Sequence, residues 1–466
     1  MISDISSFMY SYLLIILLLG AGLYFTIRTR FVQFRLLGES VRLVTEKKDK
    51  SNSVSAFEAL MVSTASRVGT GNIVGVANAI AIGGYGAVFW MWIIALIGGA
   101  SAFIESTLAQ IYKKRDDKGG SYGGPAYYIE AALGKRWLGV VFAISLIATY
   151  AIGFNMLCSY NLVTSLSQYS FYGDPKTTVV PMICGLILAL LVAFCILGGG
   201  KRIVRVTSWL VPIMGVTYII MALITMVLNI GTLPMVFREI FAGAFDFRAI
   251  FGGFAGSALM QGIKRGLYSN EAGVGSAPNA AAAADVSHPV KQGLVQMLSV
   301  FIDTLLISTA TAMMCLSSGI VPSESLQGAP FVQTALASNF GNFGIYFITF
   351  ALLLFAFTTL IGNLFYCEGA LHYIAKKPVS GAPMTIFRIA ACVVVFIGAM
   401  LDFGLVWDLA DVLMGIMAII NLPVIVLLAK PALAALKDYI DQRKAGKDPV
   451  FKASSIHLKH KTDFWN

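Results

Sequence analysis

The stretch Val54–Ile80 reads VSAFEALMVSTASRVGTGNIVGVANAI, and its middle decides the fold. Its length and apolar character suit one crossing of a bilayer, which takes about 20 mostly apolar residues. Yet Ala65-Ser66-Arg67-Val68-Gly69-Thr70-Gly71-Asn72 interrupts it with glycines, small polar residues and a charge. Lipid offers no hydrogen bonds to bare backbone, so irregular backbone at membrane depth survives only where it lines a cavity or is buried in protein. A broken helix presents free N–H groups at one half-helix end and free carbonyls at the other. The N–H end attracts a carboxylate; the carbonyl end attracts an ammonium group or Na⁺.

The rest of the chain has the same solvent. Of its 466 residues, 57% are hydrophobic and only 12% charged, against roughly 25% charged in soluble domains. About eleven runs reach spanning length: Phe8–Ile27, Val54–Ile80, Gly86–Tyr112, Leu138–Leu166, Val179–Leu197, Trp209–Leu228, Gly243–Gly266, Gly293–Leu316, Gly344–Ile374, Met384–Leu401 and Val406–Leu428. The N-terminal run lacks a basic flank and a small-residue cleavage site, so it reads as a retained helix. The six cysteines fall inside apolar runs without ligand spacing, which argues against a disulfide framework or a zinc site.

The net charge of +10 is distributed by loop. Lys and Arg crowd alternate loops, from Arg28–Lys50 through Lys113–Arg136, Lys201–Arg205 and Lys376–Lys377 to the tail. The opposite loops offer only Lys176, Arg238 and Arg248. Positive loops stay inside, which places the N-terminus outside and the C-terminus in the cytoplasm of a plasma-membrane protein. No basic block interleaved with aromatics suggests nucleic acid, and no obligate protein partner is indicated. The segment Arg28–Lys50 could lie as a helix on the inner lipid surface, and the tail beyond Leu428 reads as peripheral.

A second irregular stretch is expected from Gly252 and Gly253 through Gly256, Ser257, Gln261 and Gly262 to Gly266. Gly-interrupted spans in corresponding positions of two halves point to a transporter site. The first interrupted span opens one set of five spans, residues 54–230, and the second opens another, 243–430. Five is odd, so the second set starts from the opposite side, which makes an inverted repeat. Residues 1–53 hold an extra N-terminal helix and residues 431–466 a cytoplasmic tail. The alternative for these glycines is close helix packing.

The runs RVGTGNIVGVANAIAIGGYGAVFWMW (Arg67–Trp92), GGPAYYIE (Gly123–Glu130) and GIKRGLYSNEAGVGSAP (Gly262–Pro278) resemble the alanine/glycine:cation symporter family. The resemblance implies an all-α membrane protein of leucine-transporter-like fold. It also implies Na⁺- or H⁺-driven uptake of a small neutral amino acid, with Na⁺ as the coupled ion. Carried over, it makes the carbonyls of Ala65 and Val68 and the hydroxyls of Thr358 and Thr359 the Na⁺ ligands. The backbone around Thr70, Gly71 and Asn72 would take the substrate carboxylate, with Gly256, Ser257, Gln261 and Asn363 completing the substrate site. Many members carry Trp where this chain has Asn363, and a Gln-x-Asn pair where it has Ser159-Tyr160-Asn161. An amide in place of an indole enlarges and polarises a pocket, and the run Ser101–Lys113 looks closer to the branch associated with glutamine.

Ionisable groups inside spans cost roughly 2.5–3.5 kcal/mol each, so Arg67, Glu105, Asp303 and Glu368 are functional candidates. Arg67 is expected to pair with a carboxylate from another span. The four histidines form no HExxH, and no Walker A run or repeated channel filter is present, so an enzyme or channel is disfavoured.

Overall fold

A computed structural model describes residues 2–46, 53–115, 120–174, 177–245, 257–322, 326–456, 458 and 462–465. The bundle is built from α1 (Ile2–Arg28), α2 (Ala56–Arg67), α3 (Val74–Gly83), α4 (Gly86–Ile111), α5 (Arg136–Gln168), α6 (Val180–Ile196), α7 (Gly200–Leu228), α8 (Ala258–Asn270), α9 (Pro278–Ala283), α10 (Pro289–Ser317), α11 (Asn342–Ala375), α12 (Ala382–Gly398) and α13 (Phe403–Leu427). Among the described residues, seven of these helices are long and apolar enough to cross a membrane unaided. The half-helices α2 and α3 make one further crossing around the expected break, and α8 and α9 make another.

The helices sort by what surrounds them. In the apolar stretches of α7 and α1 only 33% and 39% of residues are buried, and large side chains such as Trp209 and Ile16 face outward. In α10 and α4 the buried shares are 72% and 67%. Lipid-facing helices must be apolar outside, whereas central helices can carry polar groups that meet each other. Polar residues such as Glu105, Gln110, Gln296, Ser299 and Asp303 are accordingly buried on α4 and α10.

Small residues set the contacts at the centre. A Cβ on Gly262 would lie 2.5 Å from the Ala87 carbonyl, and one on Gly266 would lie 2.4 Å from Ile94. These glycines sit in the unbroken helix α8, where they let it approach α4. The second break therefore lies further along than expected, at Glu271–Ala277, and the crossing is Ala258–Ala283 rather than Gly243–Gly266. Gly252, Gly253 and Gly256 lie outside the described residues.

The two broken crossings run in opposite directions. Val54, ahead of α2, bridges to Ala284, just past α9, with the Asp285 N–H donating to the Val54 carbonyl at 2.8 Å. At the far end, a Cβ on Gly83 of α3 would lie 2.9 Å from Gln261 Cβ and 3.3 Å from Ala258 Cα of α8. The halves α2 and α9 thus share one end of the bundle, and α3 and α8 share the other, as an inverted repeat requires.

The tail docks instead of hanging free. The helix α14 (Ala429–Lys444) brings Tyr439 and Arg443 onto Glu39 in the short helix Leu37–Val44. Hydrogen bonding from Arg42 first, and from Tyr439, holds the Glu39 carboxyl down to about 2. That contribution is present above the usual carboxylate range and is lost only as pH falls toward 2. Further on, Lys291 pairs with Asp448 at 2.9 Å, and the Trp465 indole donates to the Gln110 carbonyl of α4 at 2.7 Å. Lys113 Nζ lies 4.0 Å from the Phe464 ring centroid. Trp465→Ala should cost about 2–3 kcal/mol of stability and expose the tail to limited proteolysis. A cleavage pattern identical to wild type would show that the indole anchors nothing.

Candidate functional site

The first break forms where α2 runs out of helix-forming residues. It starts with a capping box, the Ser55 hydroxyl accepting from the Glu58 N–H while the Glu58 carboxylate accepts from the Ser55 N–H. It ends at Arg67, and a single 3₁₀ turn, Thr70–Asn72, precedes α3. The N–H groups of Thr70 and Gly71 stand ahead of that turn's own bonds, at the positive end of α3.

Asn72 holds this turn in shape. Its Oδ1 accepts from the Gly69 N–H at 2.9 Å, and its Nδ2 donates to Asp303 Oδ1 at 2.7 Å beside the Ser269 and Ser308 hydroxyls. Its carbonyl accepts from Thr311 Oγ1 at 2.6 Å. Asp303 in turn accepts from Ser269 and Thr304. Asp303, Thr304 and Ser308 belong to a π-helical turn, Ile302–Ser308, within α10. Such turns mark functional sites because the extra residue re-aims side chains. The Asn72 side chain is therefore engaged in structure, and it fixes the turn that carries the Thr70 and Gly71 N–H groups.

Of the expected Na⁺ ligands, the structure brings two into direct contact. Thr359 Oγ1 donates to the Ala65 carbonyl at 3.0 Å and sits against Gly69, where a Cβ would lie 2.4 Å from it. Val68, without helical geometry, follows one turn on. Thr358 Oγ1 instead donates to the Leu354 carbonyl of its own helix at 2.9 Å, with Met214 Sδ at 3.5 Å. Thr70 Oγ1 accepts from Asn161 Nδ2 at 2.9 Å. Asn363 Oδ1 accepts from Ser66 Oγ at 2.7 Å and its Nδ2 donates to Asn155 at 3.0 Å, so its amide lies against the first break.

Ser257 and Gln261 are not brought to that break. Ser257 caps α8, its hydroxyl accepting from the Met260 N–H, and Gln261 packs on Gly83. Ser257 is also distant from the second break: thirteen residues lie between it and Glu271, about 20 Å of helical rise. Arg67 forms no ion pair among the described residues, contrary to the expectation. Its Nη1 donates to the Gln296 carbonyl at 3.3 Å.

The second break was missed in position, and with it Glu271, Gly273 and Gly275. Glu271, Gly273 and Gly275 have φ of 53°, 84° and 94°. A Cβ on Gly273 would lie 2.6 Å from Leu422. Side chains satisfy the exposed backbone: Glu105 Oε1 accepts from the Gly273 N–H at 3.3 Å, and Asn421 Nδ2 donates to the Gly273 carbonyl at 2.9 Å. The available signal was Gly-Val-Gly-Ser-Ala-Pro, two glycines one residue apart followed by Pro278 at the first turn of α9.

Access to the breaks differs between the two ends. Beside α9 and α11 lies a cavity of about 930 Å³, lined by Gly123, Arg136, Asn279, Glu368, Gly369 and Lys376. Glu368 faces it while paired with Arg388 of α12 at 2.6 Å. At the α3–α8 end, aromatic rings cover the first break. The Tyr268 ring lies over Gly71, Trp407 approaches Gly75, and Phe154 packs on Tyr268 with centroids 4.9 Å apart.

A model of the sodium:alanine symporter family matches residues 1–453 of the chain. The chain is 46% identical over 460 residues to the amino-acid carrier protein AlsT of Bacillus subtilis, covering 99% of this chain and 96% of that protein. It is 46% identical over 459 residues to the probable sodium/glutamine symporter GlnT of the same organism, covering 98% and 94%. Among solved structures it is similar to MhsT in complex with L-phenylalanine. That match has a TM-score of 0.56 at 16% identity and covers 88% of this chain and 92% of that one. At that identity the likeness shows the leucine-transporter-like fold alone.

Gly71→Ala should be disruptive, because its Cβ would lie 2.3 Å from a Tyr268 ring carbon. Gly20→Ala, with nothing within 4 Å, is the matched control. The expected outcome is a thermal midpoint several degrees lower for the first and unchanged or higher for the second. Equal midpoints would mean that the ring does not press on the turn.

Proposed function

The chain belongs to the sodium:alanine symporter family, and from that premise we propose that it couples Na⁺ influx to uptake of a small neutral amino acid by alternating access. The observation that carries this reading is the pairing of a broken helix with an oxygen cluster. The Thr70 and Gly71 N–H groups suit a substrate carboxylate, and the carbonyl end of α2 meets Thr359 Oγ1 a few residues away. Ala65, Val68 and Thr359 offer all-oxygen ligation, which suits a hard cation. Thr358 donates its proton to Leu354 yet keeps oxygen lone pairs, and so would be the weaker fourth ligand.

An ion and a carboxylate bound at opposite half-helix ends of one break neutralise each other in a low-dielectric site. Each then favours the other's binding, which is the energetic basis of coupling. The membrane potential adds about 2.3 kcal/mol per cation per 100 mV, enough to drive a neutral substrate uphill more than tenfold. The basic loops support an orientation with the N-terminus outside, in which the cavity beside α9 and α11 faces the cytoplasm. On that orientation the cavity is the release path.

The substrate is an amino acid of the alanine, glycine or glutamine class. Ser66, Asn363 and Asn155 form an amide-rich wall at the break, which favours a carboxamide side chain. Uptake of labelled alanine and glutamine into proteoliposomes, with and without a Na⁺ gradient, tests the proposal. Uphill uptake that persists after both Na⁺ and proton gradients are collapsed would sink it, and uptake driven by protons alone would replace Na⁺ with H⁺.

Two variants sharpen the site. Thr359→Val keeps shape and deletes the oxygen, and should raise the half-saturation for Na⁺ at least tenfold with a smaller change in maximal rate. Thr358→Val should raise it less. Unchanged Na⁺ dependence in both would return these residues to helix packing. Asn363→Leu should weaken competition by glutamine more than by alanine, since a polar wall rejects a mismatched group more sharply than an apolar one. An unchanged preference order would remove Asn363 from the specificity determinants.

A further inference from the structure

The closed end of the molecule holds an ion cluster that neither the substrate nor the Na⁺ reading uses. Lys264 Nζ lies 2.7 Å from Asp411 Oδ2, and Arg265 Nη1 lies 3.2 Å from Oδ1 of the same carboxylate. Asp411 is fully buried on α13, and both cations are on α8. The Arg265 guanidinium also stacks on Trp407, 4.3 Å from its ring centroid, beside Gly75 and the Tyr268 ring that covers Gly71. Two helices are thus pinned together directly over the first break.

The extra helix α1 reaches into this cluster at three points. Ser6 Oγ accepts from Lys264 Nζ at 3.0 Å, the Tyr10 hydroxyl donates to the Asp411 carbonyl at 3.3 Å, and the Lys264 ammonium sits 5.2 Å from the Tyr10 ring centroid. Met9 and Leu14 fill the space at Gly415 of α13, where a Cβ would lie 2.5 Å from Met9 Cε. These α1 residues flank or lie in a π-helical turn, Met9–Leu14, which aims Tyr10 inward on a helix otherwise open to lipid. To the two cations and the Asp411 carboxylate α1 adds one neutral oxygen, Ser6 Oγ on Lys264, while the Tyr10 hydroxyl holds the Asp411 backbone.

We propose that Ser6 and Tyr10 position the Lys264–Arg265–Asp411 cluster as the outer gate, so that α1 sets how readily the substrate site opens to the outside. A buried ion pair gains little net stability over the same ions in water. A contact of that kind can separate and rehydrate at modest cost, as a part that opens once per cycle must. Small changes in its neutral partners then shift the closed-to-open ratio without unfolding the bundle. The inference rests on the symporter reading only for the direction of opening.

Cys158 reports on the gate without any transport. Its sulfur lies 3.7 Å from Thr70 Oγ1 at the first break, beneath the closed end. With Cys158 as the sole cysteine, a membrane-impermeant thiol reagent applied to intact cells should label wild type slowly. Ser6→Ala with Tyr10→Phe should label roughly tenfold faster, the effect of losing two hydrogen bonds, one of them charged. Its half-saturation for external substrate should fall together with its maximal uptake, a split that general loss of stability would not produce. Asp411→Asn with Lys264→Met removes one charge of each sign and serves as the directly opened reference. If that reference labels fast while the α1 variant matches wild type, α1 only packs and the proposal fails. If both match wild type, the cluster is not a gate and the proposal fails as well. Fast labelling in proteins that show no ion-driven uptake would leave the gate intact and count against the symporter reading instead.

Discussion

Everything in this fold follows from one deficit: hydrocarbon cannot hydrogen-bond to a peptide group. Two crossings break their helices in the middle of the bundle, and each break must find partners among its neighbours. The accounting is visible atom by atom. Asn72 closes the first break onto Gly69 while Asp303, Ser269, Ser308 and Thr311 hold Asn72. Glu105 and Asn421 hold Gly273 in the second. Polar residues on α4, α10 and α13 exist chiefly to carry these two interruptions, and the lipid-facing helices exist to keep them away from the bilayer.

Helix ends at membrane depth are concentrated partial charges in a medium that screens little. Beside the first break stand the Thr70 and Gly71 N–H groups, the carbonyl rim of α2 and the Thr359 hydroxyl that donates to it. Side chains also stand at this break. Ser66, Asn363 and Asn155 are hydrogen-bonded in series there, and Asn161 donates to Thr70.

The first break was legible in the sequence because glycine, serine and a charge coincide inside a run that is otherwise apolar. The crossings were legible for the same reason of contrast. The second break was misplaced because glycine serves two ends. Gly262 and Gly266 resemble an interruption on paper but act as flat surfaces for α4, whereas Gly273 and Gly275 have the left-handed backbone of a true break. The polar stretch from Lys264 to Ser276 also pulled the apolar window toward the N-terminus. Arg67 could be seen as costly, but which carbonyl or carboxylate it would meet depends on helix rotation, which periodicity alone does not determine. The docking of the tail depends on contacts between residues hundreds of positions apart, such as Trp465 with Gln110, and composition carries no trace of it.

The bridge between Val54 and Ala284 has a mechanical consequence. With the Asp285 N–H on the Val54 carbonyl, the Ser53 hydroxyl on the Asp285 carboxylate and Gln110 holding the Ala284 carbonyl, the α2 and α9 halves of the two broken crossings are bolted to each other and to α4. They cannot act as two independent levers. A cavity that widens beside α9 while this joint stays whole must do so by displacing the opposite wall, α11 and the short helix Pro125–Leu133. The working stroke on that side then belongs to the scaffold, and the paired half-helices are the fulcrum it turns on.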